Sequence, residues 1–296
     1  MKIKYAMIVL MLSSCTILDD TERNAVAEEL PLPTAPNNIG TILGFNASYP
    51  QATLDSFDGA WNELLLAGMS VGRIQVDWDE LEVEEGVYER QELKNRLSTL
   101  QSQGLETFLT LAVFDSDGPG LPEFLVGQPI DSDRVINSFR NLMNWVIPML
   151  AEHGGWGIAI SNEPDNFFAE DPEVEKEVTR FIQVMREHIH TINESVAVTV
   201  TMNLENLEKS EEAARELLSE CDFLSINLYG AGLFPLDEPF SPERNEANFQ
   251  RVLDFAGAKE IVVQELGMHA DEELLNSSEE IQRQFFEQFF NFMQQE

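Results

Sequence analysis

The sequence predicts an α/β chain of the (β/α)8 TIM-barrel type that stops one strand short. Three observations carry this reading. Short apolar runs alternate with longer segments of helical spacing. Each run is nearly continuous rather than alternating, as in parallel strands buried on both faces. No G-x-G-x-x-G turn follows the early runs, which favours a barrel over a doubly wound open sheet. A length of 296 residues holds one barrel of about 250 residues plus an extension.

The predicted strands are Ile39–Phe45, Val71–Val76, Glu106–Val113, Trp156–Ser161, Val196–Met202, Asp222–Leu228 and Ile261–Gln264. Between them, helical spacing runs over Leu54–Leu66, Glu92–Gln103, Asp133–Glu152, Glu173–Ile192, Glu211–Leu218 and Glu243–Phe255. Gly68 before the second strand and Gly104 before the third punctuate the turns. The closing segment Glu279–Met293 sets Ile281, Phe285, Phe289 and Met293 on one helical face, widened by Phe286 and Phe290, and reads as a core face. No eighth strand follows it. The expectation is therefore a seven-stranded barrel, imperfectly closed between its first and last strands, over residues 39–296.

Ahead of this body stand two other segments. Residues 1–15, "MKIKYAMIVLMLSSC", place Lys2 and Lys4 before an apolar run and small residues, the anatomy of a secretory signal. Leu12-Ser13-Ser14-Cys15 resembles a lipobox, which makes Cys15 the expected lipidation site. Residues 16–38 are acidic and punctuated by Pro31, Pro33 and Pro36, and read as a flexible tether. These features imply a bacterial cell-envelope protein whose only membrane contact is its lipid anchor. The one other cysteine, Cys221, heads an apolar run and reads as a small buried hydrophobe.

Charge narrows the partners. Eighteen basic residues against 53 acidic ones leave a formal charge of -35. Such a surface repels phosphate backbones, which excludes nucleic acid as a partner class. The four histidines and one remaining thiol form no zinc pattern, because His188 and His190 lie two apart on one helix. No metal or other cofactor is implied.

In a barrel, chemistry gathers at the C-terminal ends of the strands. Arg73 and Trp78 stand at or just after the second strand, and Phe114-Asp115 follow the third. Asn162-Glu163-Pro164 follows the fourth, Asn227 and Tyr229 close the sixth, and Gln264-Glu265-Leu266-Gly267 ends the seventh. Two glutamates thus cap distant strands that face one mouth. Glycoside cleavage needs such a pair, one carboxyl to protonate the leaving oxygen and one to attack or shield the anomeric centre. The pair must also be tuned apart. Arg73 and Tyr229 are expected donors to Glu265, and Asn162 an expected partner of a sugar hydroxyl. Asp115 and Asp117 in "FDSDGPG" read as an acidic, glycine-containing turn. Trp78, Phe114, Phe167, Phe168 and Phe234 are each as apt to fill a gap under a loop as to stack on a sugar.

On these residues the chain resembles the clan A glycoside hydrolases. Asn162-Glu163-Pro164 is similar to their Asn-Glu-Pro at the acid/base, and Glu265-Leu266-Gly267 to their Glu-x-Gly at the nucleophile. Val76–Tyr88, "VDWDELEVEEGVY", is similar to their Trp…Glu-x-x-x-Gly-x-Tyr passage after strand two. The resemblance implies a retaining glycosidase with Glu163 as acid/base and Glu265 as nucleophile. Arg73, Trp78, Asn162, Asn227 and Tyr229 would then touch a carbohydrate substrate. Two features depart from the family: Asn227 stands where many members carry a histidine, and the eighth strand is missing. They leave open an inactive, glycan-binding surface lipoprotein. The sequence leaves the sugar, the linkage and the oligomeric state undetermined.

Overall fold

The computed structural model describes residues 44–46, 65, 68–115, 118–168, 171–207, 209–230, 241–268 and 277–295. The signal segment, the tether, Cys15, Asp117, Phe234, His269 and nearly all of the Leu54–Leu66 helix lie outside these residues. Seven parallel strands form one sheet whose spatial order is the chain order. They are β1 (Gly44–Asn46), β2 (Val71–Asp77), β3 (Glu106–Ala112), β4 (Gly155–Asn162), β5 (Ala197–Asn203), β6 (Leu224–Tyr229) and β7 (Ile261–Gly267). The helices are α1 (Arg90–Ser102), α2 (Asp133–Glu152), α3 (Pro172–Ile192), α4 (Glu211–Ser219), α5 (Pro242–Ala256) and α6 (Glu279–Gln295).

The sheet curls. Adjacent strands lie about 4.8 Å apart, so β2 and β7 would be roughly 24 Å apart across a flat sheet of this order. Yet Arg73 of β2 sits 2.8 Å from Glu265 of β7. Only a sheet wound most of the way into a barrel allows that contact. Among the described residues no pairing joins β1 to β7 and no eighth strand is present.

Side-chain alternation then sorts the strands into two faces. Val71, Phe108, Ala159, Phe223 and Val262 form a small cluster of their own, with Trp156 and Ala197 packed against it. Phe108, Trp156 and Phe223 stack there, with ring centroids 5.3 to 6.0 Å apart. This is the filling of the barrel floor. Two residues further along the same strands stand Arg73 after Val71, Thr110 after Phe108 and Gln264 after Val262. The interior therefore turns from apolar to polar towards the strand ends. The intervening residues, such as Ile74, Leu109, Ile158 and Val263, belong to the larger core shared with the helices. Helix approach is close on that side: a Cβ on Gly72 would lie 2.6 Å from the Leu100 side chain of α1. The closing helix α6 behaves as its stripe predicts, burying Phe285, Phe289 and Met293 and packing on α5.

Two short antiparallel hairpins rise after β2 and β3. The first pairs Glu82–Glu84 with Val87–Tyr88, the second Phe114–Asp115 with Gly118–Pro119. At two to three residues per strand they are too short to show in a hydrophobic period. The first explains the Trp…Glu-x-x-x-Gly-x-Tyr passage. Buried Glu82 accepts from the Trp78 indole at 2.8 Å and from the Gly86 amide at 2.9 Å. Gly86 adopts φ +76° at the hairpin tip, where a side chain would be strained. The passage is a folding device for the loop after strand two.

Candidate active site

Both glutamates leave their strands through a register break. Between β4 and β5 the register steps from Ala159↔Thr199 to Asn162↔Thr201, an extra residue on β4. Between β6 and β7 it steps from Ile226↔Val263 to Asn227↔Glu265, an extra residue on β7. A bulge re-aims the side chains that follow it. On β7 it lets Gln264 and Glu265, neighbours that simple alternation would send to opposite faces, both join the interior network.

Glu265 is held by strong donors. Arg73 Nη1 donates to its Oε1 at 2.8 Å, and the Tyr229 hydroxyl makes a short hydrogen bond to its Oε2. Arg73 is wholly buried, and the loss of water pulls its pKa below the ordinary guanidinium value, against the charge of Glu265. Its Nε donates to Thr110 Oγ1 at 3.0 Å and its Nη2 to Gln75 Oε1. Burial first, and then the charges of Glu265 and Glu163, push the Tyr229 hydroxyl far above its ordinary value. Tyr229 therefore stays a donor across the working pH range, close enough to both carboxylates to feel each.

Glu163 is held by amides. Asn227 Nδ2 donates to its Oε1 at 2.8 Å, and Asn166 Nδ2 approaches its Oε2 at 3.4 Å. Its backbone is left-handed, at φ 52° and ψ 41°, the one positive φ outside glycine among the described residues. That conformation costs a non-glycine residue on the order of 1 kcal/mol and is found where surrounding contacts over-determine it. The Pro164–Asn166 turn follows directly.

A third group joins the two. Asn162 Nδ2 donates to Asp115 Oδ1 at 2.8 Å, and its Oδ1 accepts from Gln264 Nε2 at 3.1 Å. Gln75 Nε2 reaches the other Asp115 oxygen at 3.1 Å. Gln264 Oε1 accepts from Thr110 at 3.0 Å and from Thr201. A continuous chain of hydrogen bonds thus links β2, β3, β4, β5, β6 and β7 at the barrel mouth.

The structure brings Arg73, Asn162, Glu163, Asn227, Tyr229 and Glu265 together. It does not bring Trp78. That side chain is 0% exposed, packs edge-on to Phe139 at 4.9 Å and gives its indole proton to Glu82. Trp78 is corrected to a core residue, since a fully buried ring offers no face to a sugar. Phe114 and Phe167 contact each other at 5.1 Å, and Phe168 is buried. Gln75, Thr110, Asp165 and Gln264 belong to the site's framework and were not expected. Gln75 could have been found, standing two residues after Arg73 on the same face. Gln264 could not, because only the bulge turns it inward. Asp115 is more than a turn residue, being tied to Asn162 and Gln75.

Outside the mouth, the Cys221 thiol is buried and pushed up to about 11 by desolvation, as befits a core residue. His188 pairs with Asn144 and His190 with Asp222, on different partners. Among the described residues no cluster could hold a metal ion, and no helix is long and apolar enough to cross a membrane.

A partial TIM barrel with paired glutamates at the ends of its fourth and seventh strands is the architecture these observations define. Solved structures of this fold are glycosidases. Beta-glycosidase BGL167 superposes with a TM-score of 0.61 at 14% identity, over 81% of this chain and 73% of that one. The exo-beta-1,4-mannosidase Op5Man5 from Opitutaceae bacterium strain TAV5 gives 0.64 at 15% identity, over 85% and 50%. GH5_18 from Bifidobacterium longum subsp. longum, in complex with Manb1-4GlcNAc, gives 0.63 at 14% identity, over 82% and 61%. The chain thus spans between half and three quarters of the lengths of these structures. The sequence matches no protein-family model and no curated protein.

Proposed function

We propose that the protein is a retaining glycosidase acting on O-glycosidic bonds of oligo- or polysaccharides. The observation that supports it most is the contrast in donors between two glutamates joined by one network. An ion pair and a hydroxyl on Glu265 suit an anionic nucleophile, while neutral amides on Glu163 suit a carboxyl that gives and retakes a proton. In the first step Glu265 attacks the anomeric carbon as the bond to the leaving oxygen breaks, and Glu163 gives that oxygen its proton. In the second, Glu163 takes a proton from water as the water oxygen displaces Glu265. Asn162 and Asn227 stand beside Glu163, and Tyr229 beside Glu265, where they can meet the sugar. No step calls for a cofactor.

The test is hydrolysis of an array of aryl glycosides and plant, algal and fungal polysaccharides by the soluble body, with the anomer of the first product read by NMR. Cleavage with retention supports the reading. Binding without cleavage of any member transfers the case to the glycan-binding alternative.

We also propose that the protein is a lipoprotein of the bacterial cell envelope, on the strength of residues 1–38. The mature chain should begin at Cys15 and partition with membranes, and Cys15→Ser should leave precursor or soluble protein. A mature N-terminus elsewhere, without lipid, contradicts this.

A further inference from the structure

The acid/base reading leaves one buried acid without a role. Asp165 follows Pro164 in the turn that carries Glu163, and it is only 1% exposed. Both its oxygens face the backbone amide of Asn203 at the end of β5, at 3.0 and 3.2 Å. A lone backbone donor is poor compensation for burying a carboxylate. Burial accordingly raises its pKa from 3.8 to about 7, and the charge of Glu163 adds to the rise.

What Asp165 does is close a clasp. Glu163 stands in a left-handed conformation that its own residue type disfavours. Three sets of contacts tie that bend to β5 and the turn after it. The Glu163 amide donates to Thr201 O at 2.7 Å. Asp165 receives the Asn203 amide two residues later along β5. Asn206 Nδ2 bonds Asn166, whose own amide group approaches Glu163 Oε2. The remaining charges do not serve Asp165 as counter-ions: Lys209 reaches Asn206 at 3.5 Å, Glu205 is itself acidic, and the buried residues of α3, which packs on the turn, are all uncharged.

We propose that Asp165 is a positioning residue, a side-chain clasp from the acid/base turn to β5 that holds Glu163 in its left-handed bend and so aims its carboxyl at the leaving group. The inference rests on the glycosidase reading and adds to it a residue that touches no substrate. Its signature is selective. A misaimed acid slows only reactions that need protonation of the leaving oxygen, whereas a loss of folded protein slows all substrates alike.

The experiment compares kcat/KM on two aryl glycosides of one sugar, one with an activated and one with a poor leaving group. The proteins are wild type, Asp165→Leu and Asp165→Asn. Leucine keeps the volume and removes the acceptor, while asparagine keeps an acceptor for the Asn203 amide. For Asp165→Leu the expected loss is about a hundredfold on the poor leaving group and less than about fivefold on the activated one. Asp165→Asn should return the ratio of the two rates to near the wild-type value. Because the ratio is independent of the folded fraction, a poorly folding variant still reports. Equal losses on both substrates in Asp165→Leu, from an active wild type, overturn the clasp alone. So does a skewed ratio in Asp165→Asn. A wild type that cleaves no glycoside overturns the glycosidase reading, and this inference with it.

Discussion

Glu265 and Glu163 end the two bulged strands of one barrel, yet they are held by opposite means. Glu265 faces a buried guanidinium and a hydroxyl that cannot lose its proton, both rigid and one charged. Glu163 faces two neutral amides, on a strained bend, with a buried acid two residues away. A carboxylate fixed by a cation and a hydroxyl is placed for attack. A carboxyl held by donors that bear no charge can gain and lose a proton without breaking an ion pair. The difference in environment, rather than the presence of two acids, is what assigns the roles.

The largest effect should come from Glu265. Glu265→Ala should lower turnover on the order of 10⁴-fold or more, with azide restoring product of inverted configuration by attacking the vacated face. Next comes Glu163. Glu163→Ala should cost roughly 10²- to 10⁴-fold on glycosides with poor leaving groups and far less on activated ones. Complete loss on every substrate in both variants, without azide rescue in the first, would erase the contrast between the two residues.

A smaller step is expected at Tyr229. Tyr229→Phe removes one hydrogen bond to a charged group, a contribution of about 1.5–3 kcal/mol, and so should lower kcat about ten- to a hundredfold. Steady-state kinetics on a substrate with fast release checks it, and an unchanged kcat would mean that Arg73 alone orients Glu265.

The smallest effect is on stability. The pKa of Asp165 in the folded protein, about 7, lies above its ordinary value of 3.8. Its contribution to stability is therefore full below about 4 and is lost as pH rises towards 7. Asp165→Asn should remove that slope and melt at higher temperature than wild type above pH 7. Melting curves from pH 4 to 8 decide it; parallel wild-type and variant profiles would show that Asp165 does not titrate there.

Much of the fold was legible because parallel strands buried on both faces write themselves as apolar runs. The α2 helix matches its expected bounds, Asp133–Glu152, with the Ser132 side chain as its N-cap. The strand ends also revealed Arg73, Glu163, Tyr229 and Glu265, since each stands where a barrel gathers its chemistry. Side-chain direction was not legible. Trp78 follows β2 directly, yet packing against Phe139 turns it into the core. The bulges in β4 and β7 have no local sequence mark, so Gln264 could not be placed inward beside Glu265. Nor does the order Asn-Glu-Pro-Asp disclose that its last residue folds back on β5 rather than facing water.

The role of Glu265 is open to direct capture. The protein would be treated with 2-deoxy-2-fluoroglycoside inactivators whose sugar matches the substrate found in the array, digested, and its peptides mapped by mass spectrometry. A retaining mechanism with Glu265 as nucleophile predicts one covalent glycosyl group per protein, on Glu265, absent from Glu265→Ala and still formed in Glu163→Ala when the leaving group is activated. A label on Glu163, or time-dependent inactivation that survives in Glu265→Ala, would contradict the assignment.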